Sequence, residues 1–229
     1  MRSLLPLIIL MCFGSNQSSI RETVGYVSVQ EIILNCENNE SCESRIALAS
    51  GSATRILWKE NFYWLSAGHV CESLSKEAGQ LVYREMKITS LGKKLETAER
   101  IEVTVFKNDD EIDICLMKAK PGPARILKNK ELEFGEKIST FAFPDGFYAE
   151  GMYPLYEGTY NGKEDKYACL TSIPVSPGSS GASVINKQGN VVGVITSVSN
   201  TFNHRTIFVC PDATMWFVSI AAEMLKNQK

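Results

Sequence analysis

Three short stretches of this 229-residue chain carry side chains that could make and break covalent bonds. In the first, Phe62-Tyr63-Trp64-Leu65-Ser66-Ala67-Gly68-His69, an apolar run delivers one of only two histidines in the sequence, directly after two small residues. An imidazole titrates near about 6.5, so it can take up a proton and return it around neutrality. In the second, Ile112-Asp113-Ile114-Cys115-Leu116-Met117, one carboxylate is embedded among apolar residues. Withdrawn from water it needs hydrogen-bond donors, and an imidazole N–H is one that also fixes the ring tautomer. In the third, Ser176-Pro177-Gly178-Ser179-Ser180-Gly181-Ala182-Ser183-Val184, two glycines surround Ser180. Glycine permits a sharp turn and close approach of another backbone, so the N–H groups of Gly178 and Ser180 could converge on a developing oxyanion. Alone, each stretch also has a structural reading: a satisfied core histidine, a solvated loop continuing Asp109-Asp110-Glu111, and a tight turn.

Chain order decides how the three can work together. A subtilisin-type triad needs an Asp before its His, and no Asp precedes Asp109. The α/β-hydrolase order needs an acid and then a His after the Ser, and no Asp or Glu lies between Ser180 and His204. A nucleophile elbow also wants glycine where Ala182 stands and a helix where the sequence continues as a hairpin. The order that remains is His69, Asp113, Ser180, with successive members 44 and 67 positions apart. It implies acyl transfer with Ser180 as nucleophile, His69 as base and acid, and Asp113 orienting the ring.

The elements that must position these residues read as many short strands separated by turn signals, the pattern of β-barrels or a sandwich. Strands are expected at 46–49, 51–57, 62–67, 112–118, 138–143, 167–173 and 206–210, and Ile101 to Val105 alternates cleanly. Segments 182–186 and 190–198 flank Lys187-Gln188-Gly189, a hairpin turn. Only the end of the chain has helical spacing, through Phe217, Ile220, Ala221, Met224 and Leu225, with Asp212 the expected N-cap. Pro121-Gly122-Pro123 is the expected boundary between two halves of one catalytic unit.

Residues 1–14 combine Arg2 with an apolar run too short to span a bilayer, followed by small residues, which predicts a secretory signal peptide and a mature domain over 15–229. Bulky Met11 argues against lipidation at Cys12. Six further cysteines, at 36, 42, 71, 115, 169 and 210, are compatible with disulfides in an exported chain, but their pairing cannot be read from sequence. Cys36 and Cys42 flank a polar loop that a local bridge could close, and Cys115 reads as a small buried hydrophobe. No cysteine or histidine spacing matches a zinc site. A net charge of −2, with 22% charged and 44% hydrophobic residues, describes a globular chain without the basic, aromatic-rich surface that nucleic acid needs.

These motifs together resemble the trypsin-like serine peptidases, over roughly residues 45 to 226. Ser66-Ala67-Gly68-His69 is similar to their Thr/Ser-Ala-Ala-His, Asp113-Ile114-Cys115-Leu116-Met117 to Asp-Ile-Ala-Leu-Leu, and Gly178 to Ala182 to Gly-x-Ser-Gly-Gly. Gly51-Ser52-Ala53 and Val192 to Ser197 resemble two further strands of that family. The resemblance implies an all-β, chymotrypsin-like fold of two six-stranded antiparallel β-barrels with a C-terminal α-helix and a site in the cleft between them. It also implies a serine endopeptidase acting on proteins or peptides; together with the N-terminal segment, the charge balance and the cysteine spacing, the expectation is a secreted monomer with no cofactor, metal, nucleic acid or membrane span. Four positions depart from the family's animal members. Ser179 stands where they carry an Asp that pairs with a freshly cut N-terminus, Ala182 and Ser183 replace Gly and Pro, and Ser50 falls where a half-cystine is usual. The chain is closer to the short bacterial and viral branch, which needs no such activation. Substrate contacts are expected at Thr196, Ser197 and Val198, while His204, which lies 24 positions after Ser180, reads as an exposed loop histidine, with a pocket role toward Glu or Gln as the alternative. The competing functions are a protease-like binding module without turnover and an esterase for small esters.

Overall fold

The computed structural model describes residues 21–37, 41–72, 81–102, 104–108, 112–152, 154–199 and 205–227. Its first β system grows from a hairpin of β1 (Val24–Glu37) and β2 (Ser41–Trp58). Along β1, Val27, Val29, Glu31 and Ile33 are buried while Gln30 and Ile32 are exposed, the two-residue period of a strand with one face on a core. The segments 46–49 and 51–57, expected as separate strands, run together in β2.

Strands β3 (Asn61–Ser66), β4 (Leu81–Ser90), β5 (Glu99–Ile101), β6 (Thr104–Asn108) and β7 (Asp113–Lys118) complete a sheet in the order β5-β4-β1-β2-β3-β7-β6. A short β8 (Arg125–Ile126) runs parallel to β2. β5 and β6 occupy opposite edges of this sheet although only residues 102 and 103 separate them in the chain. Three residue steps span at most about 11 Å, so the sheet must curl until its edges nearly meet. It is a half-barrel where a closed barrel was expected, and Ile101 to Val105, read as one strand, is where it stays open.

The second system closes completely. β9 (Lys137–Phe141), β10 (Leu155–Lys163), β11 (Ala168–Thr171), β12 (Ser183–Asn186), β13 (Val191–Val198) and β14 (Thr206–Val209) form a six-stranded barrel in the order β10-β11-β14-β13-β12-β9. Pro121-Gly122-Pro123 lies between β7 and β8, so the chain returns once more to the first sheet before Leu127 bridges to Val191 of the barrel.

The described residues also form a single α-helical turn, α1 (Gly68–Cys71), and the 17-residue α2 (Pro211–Asn227). Proline suits the first position of α2 because that N–H has no intrahelical acceptor. Asp212, expected as the N-cap, falls inside the first turn, where its charge meets the positive end of the helix. The buried face of α2, with Phe217, Val218, Ala221 and Leu225, shares one core with Ile56, Leu65 and Leu116 of the first sheet and Val191, Val194 and Val209 of the barrel. The helix therefore fills the seam between the two systems. No helix among the described residues is long and apolar enough to cross a membrane.

One cystine joins Cys71 to Cys115 in the half-barrel and another joins Cys169 to Cys210 in the barrel. Cys115 is buried as expected, but cross-linked rather than free. Cys36 and Cys42 are backbone partners across the β1–β2 hairpin. The proposed signal segment with Cys12, the loop at 38–40 and His204 lie outside the described residues.

Candidate active site

β3 and β7 are antiparallel neighbours, with Leu65 opposite Leu116 and Ser66 opposite Cys115. The end of β3 therefore meets the start of β7, which brings the turn carrying His69 onto Asp113. His69 Nδ1 lies 2.7 Å from Asp113 Oδ2, and because an ionised carboxylate only accepts, the ring proton sits on Nδ1. Asp113 Oδ1 accepts the backbone N–H of His69, also at 2.7 Å. One carboxylate thus fixes both the ring and the main chain of the same residue, and leaves Nε2 as the basic nitrogen.

This contact needs glycine at 68. A Cβ there would stand 2.3 Å from the Lys107 carbonyl oxygen and 2.7 Å from Asp113 Oδ1. Gly68→Ala is accordingly expected to destabilise the fold by about 1–3 kcal/mol, the usual range for overpacking, and to part His69 from Asp113. Thermal unfolding and the histidine NMR spectrum measure the two effects, and a variant unchanged in both removes the argument.

The α1 turn is also held from below. Arg84 on β4 donates to the carbonyl oxygens of Cys71 and Val70, the latter at 3.0 Å. Its Nε lies 3.3 Å from Glu31, which is fully buried on β1 directly opposite Arg84 in register. Burial pulls the Arg84 pKa below its usual value, while Glu31 and then Glu72 oppose the shift. Neither Glu31 nor Arg84 was singled out in the sequence, and an acid on the inward face of an apolar strand is the signal that could have found them.

Ser180 belongs to the loop between β11 and β12. Gly178 and Gly181 hold φ of +88° and +87°, which other residues adopt only with strain. Their surroundings leave no room for a side chain either: a Cβ on Gly178 would lie 2.4 Å from the Phe143 carbonyl oxygen, and one on Gly181 would lie 2.1 Å from both the Ser52 carbonyl oxygen and Ser66 Oγ. Of the amides from 178 to 182, those of Ser179, Gly181 and Ala182 donate to backbone carbonyls. Among the described residues the amides of Gly178 and Ser180 have no such acceptor, so this pair remains able to bind an anion.

Ser52 fastens this loop to the first sheet. Its N–H donates to the Ser180 carbonyl at 2.8 Å, its hydroxyl donates to the Gly178 carbonyl at 2.9 Å, and its own carbonyl accepts from Ser66 Oγ at 2.8 Å. A Cβ on neighbouring Gly51 would stand 2.9 Å from the Val70 methyls and 3.2 Å from the Ser180 carbonyl oxygen. Gly51 is thus wedged between the His69 turn and the Ser180 loop, and the three sequence-predicted residues converge on one region. They are not equally engaged. His69 and Asp113 hydrogen-bond each other, whereas Ser180 Oγ donates to the Thr196 carbonyl at 3.4 Å and not to His69.

Beside Ser180 opens a cavity of about 350 Å³, walled by Val175, Pro177, Ile195, Thr196 and Val198. Among the described residues no ionisable side chain lines it. Among the described residues no group of three His, Cys, Asp or Glu side chains could hold a metal ion.

Residues 51–194 match the family described as the trypsin-like peptidase domain. No curated protein sequence matches the chain. Among solved structures, the HtrA-type protease AlgW with a decapeptide is similar at a TM-score of 0.64 and 14% identity, covering 94% of this chain and 68% of that one. The serine endoprotease from Yersinia pestis is similar at 0.59 and 15%, with 93% and 67% covered. The active form of the Rv3671c protease from M. tuberculosis is similar at 0.55 and 14%, with 89% and 83% covered. At such identities the likeness is one of fold.

Proposed function

The chain belongs to the trypsin-like peptidase family, and we propose that it is a serine endopeptidase whose triad is His69, Asp113 and Ser180. The observation that carries this reading is the double contact of Asp113 with the ring and backbone of His69, next to a loop that leaves the Gly178 and Ser180 amides free. In the proposed reaction, Ser180 Oγ turns from the Thr196 carbonyl toward His69 and attacks a peptide carbonyl carbon, while its proton passes to Nε2. The new oxyanion lies between the amides of Gly178 and Ser180. Collapse breaks the C–N bond, the leaving amine takes the proton from Nε2, and the acyl group stays on Ser180. Water then attacks the ester by the same route, which restores the hydroxyl.

One observation favours a second reading. Ser180 Oγ rests on a carbonyl rather than on His69, as it could in a protease-like binding module without turnover. A fluorophosphonate probe separates the two, because it phosphonylates, with loss of fluoride, only a serine that a base activates. Labelling mapped to the Ser180 peptide, together with hydrolysis of a denatured protein, is expected of the endopeptidase. Absence of labelling on folded protein leaves the binding module.

The reading extends to the substrate. Beyond Ile195, β13 no longer pairs with β12, so Thr196 to Val198 offer a free backbone edge to an extended peptide. The residue preceding the cut bond then points into the cavity between Val175, Pro177, Ile195 and Val198, which no charged side chain lines among the described residues. A charge placed there without a partner costs several kcal/mol, so Lys, Arg, Asp and Glu are expected to be disfavoured by about 10²-fold or more in kcat/KM against an aliphatic residue. A peptide library reads this directly, and a preference for any charged residue overturns it. A contribution from His204 would appear as a changed profile in His204→Ala. Two buried cystines fit an oxidising compartment, which agrees with export by the first 14 residues.

A further inference from the structure

Cys71 lies two residues after His69, and Cys115 lies two residues after Asp113. The bond between them therefore spans the same 44-residue separation as the His69–Asp113 pair, and joins the same two elements one step further into the core. Both sulfur-bearing residues are fully buried, packed with Val27, Trp64, Ala67 and Val70.

The turn needs such a hold. α1 is four residues long and closed by one backbone bond, from the Glu72 N–H to the Gly68 carbonyl. A helix of one turn has little stability of its own. What keeps His69 in place is therefore external: the Asp113 carboxylate, the Arg84 guanidinium under the Cys71 and Val70 carbonyls, and the cystine. Only the cystine is covalent. Its Cα atoms are 6.3 Å apart, and bridged cysteines seldom exceed about 6.8 Å. The turn can thus retreat from β7 by about half an ångström before the bond resists. Misplacement of a reacting group by about 1 Å costs on the order of 10² in rate, so the tether holds the pair inside the range that matters.

We infer that the Cys71–Cys115 cystine is a positioning element of the active centre, which holds the His69 turn against Asp113 and makes turnover depend on an oxidised chain. The inference rests on the triad proposed above. The test compares two double variants that each remove one cystine, Cys71→Ala/Cys115→Ala and Cys169→Ala/Cys210→Ala, the second in the barrel away from the turn. The first is expected to lower kcat at least tenfold with KM changed less than twofold, and to abolish the low-field NMR resonance of the proton between His69 Nδ1 and Asp113 Oδ2. The second is expected to keep both. Equal losses of kcat in the two variants, or a retained resonance in the first, overturn the inference.

If the first variant does not fold, stepwise reduction of the native protein with dithiothreitol reads the same quantity. Activity and the resonance must then fall together as the Cys71 and Cys115 thiols become alkylatable, and their survival past that point counts against the tether. Recording the resonance in Ser180→Ala as well needs no turnover. It therefore separates failure of the tether from failure of the triad assignment.

Discussion

Replacing Ser180 by alanine is expected to lower kcat by about 10⁶-fold, with KM within a few-fold of the parent. The substitution removes only the oxygen that would form the acyl bond. Ser180 is held through its main chain, by the Ser52 N–H on its carbonyl, and its hydroxyl makes one long contact with the Thr196 carbonyl. Neither the loop nor the cavity beside it should move, so binding survives while chemistry fails. The residual rate is expected to stay on the order of 10³ over water, because the Gly178 and Ser180 amides still receive the oxyanion. Single-turnover hydrolysis of a peptide ester, with peptide affinity measured on the same protein, checks both halves. A variant that retains more than about 1% of the parent kcat excludes Ser180 as nucleophile, since loss of the attacking atom cannot leave so much.

The second large effect is expected at Asp113→Asn, with kcat at neutral pH down by about 10⁴. An amide can still offer its oxygen to the His69 backbone N–H, so the turn stays seated. Toward the ring it presents an N–H donor, and His69 can accept only by shifting its own proton to Nε2. The nitrogen that must receive the Ser180 proton is then already protonated. Charge-assisted hydrogen bonds contribute about 1.5–3 kcal/mol each, so part of the effect falls on stability, and a thermal melt run beside the rate measurement separates the two. Full activity in this variant would return Asp113 to the solvated loop that its neighbours at 109–111 suggest.

The site was more legible in the sequence than the frame around it. His69, Asp113 and Ser180 stand in motifs where small residues and a single polar group interrupt apolar runs, and local pattern reading detects such interruptions. The strands it detected are those with unbroken apolar or alternating runs, such as β3, β7 and β13. β1 was missed because Glu31 occupies an inward position, where a pattern search expects an apolar residue. Its partner Arg84 hides β4 in the same way, and the two charges make sense only once the strands are paired. β10 carries Gly158, Asn161 and Gly162, which read as turn residues, yet Gly158 is required because a Cβ there would stand 2.6 Å from the Ile173 N. Ser52 illustrates another blind spot. It is fully buried and bonds residues 126 positions away, a role that nothing in its immediate neighbourhood announces. The cystines were invisible for a similar reason, since pairing depends on which strands become neighbours.

On the proposed reading, the position of α2 also has a bearing on when the protein becomes dangerous to other chains. The helix follows every described strand, and its buried face supplies part of the core shared by both β systems. Ribosomal synthesis proceeds from the N-terminus, and domains fold in that order. His69 and Asp113 can be paired while the second barrel is still being made, but the seam that sets Ser180 beside them stays unfilled until the helix arrives. On the proposed reading, the three triad residues are all made before the cleft can assemble, so a nascent chain would spare its neighbours until α2 has emerged.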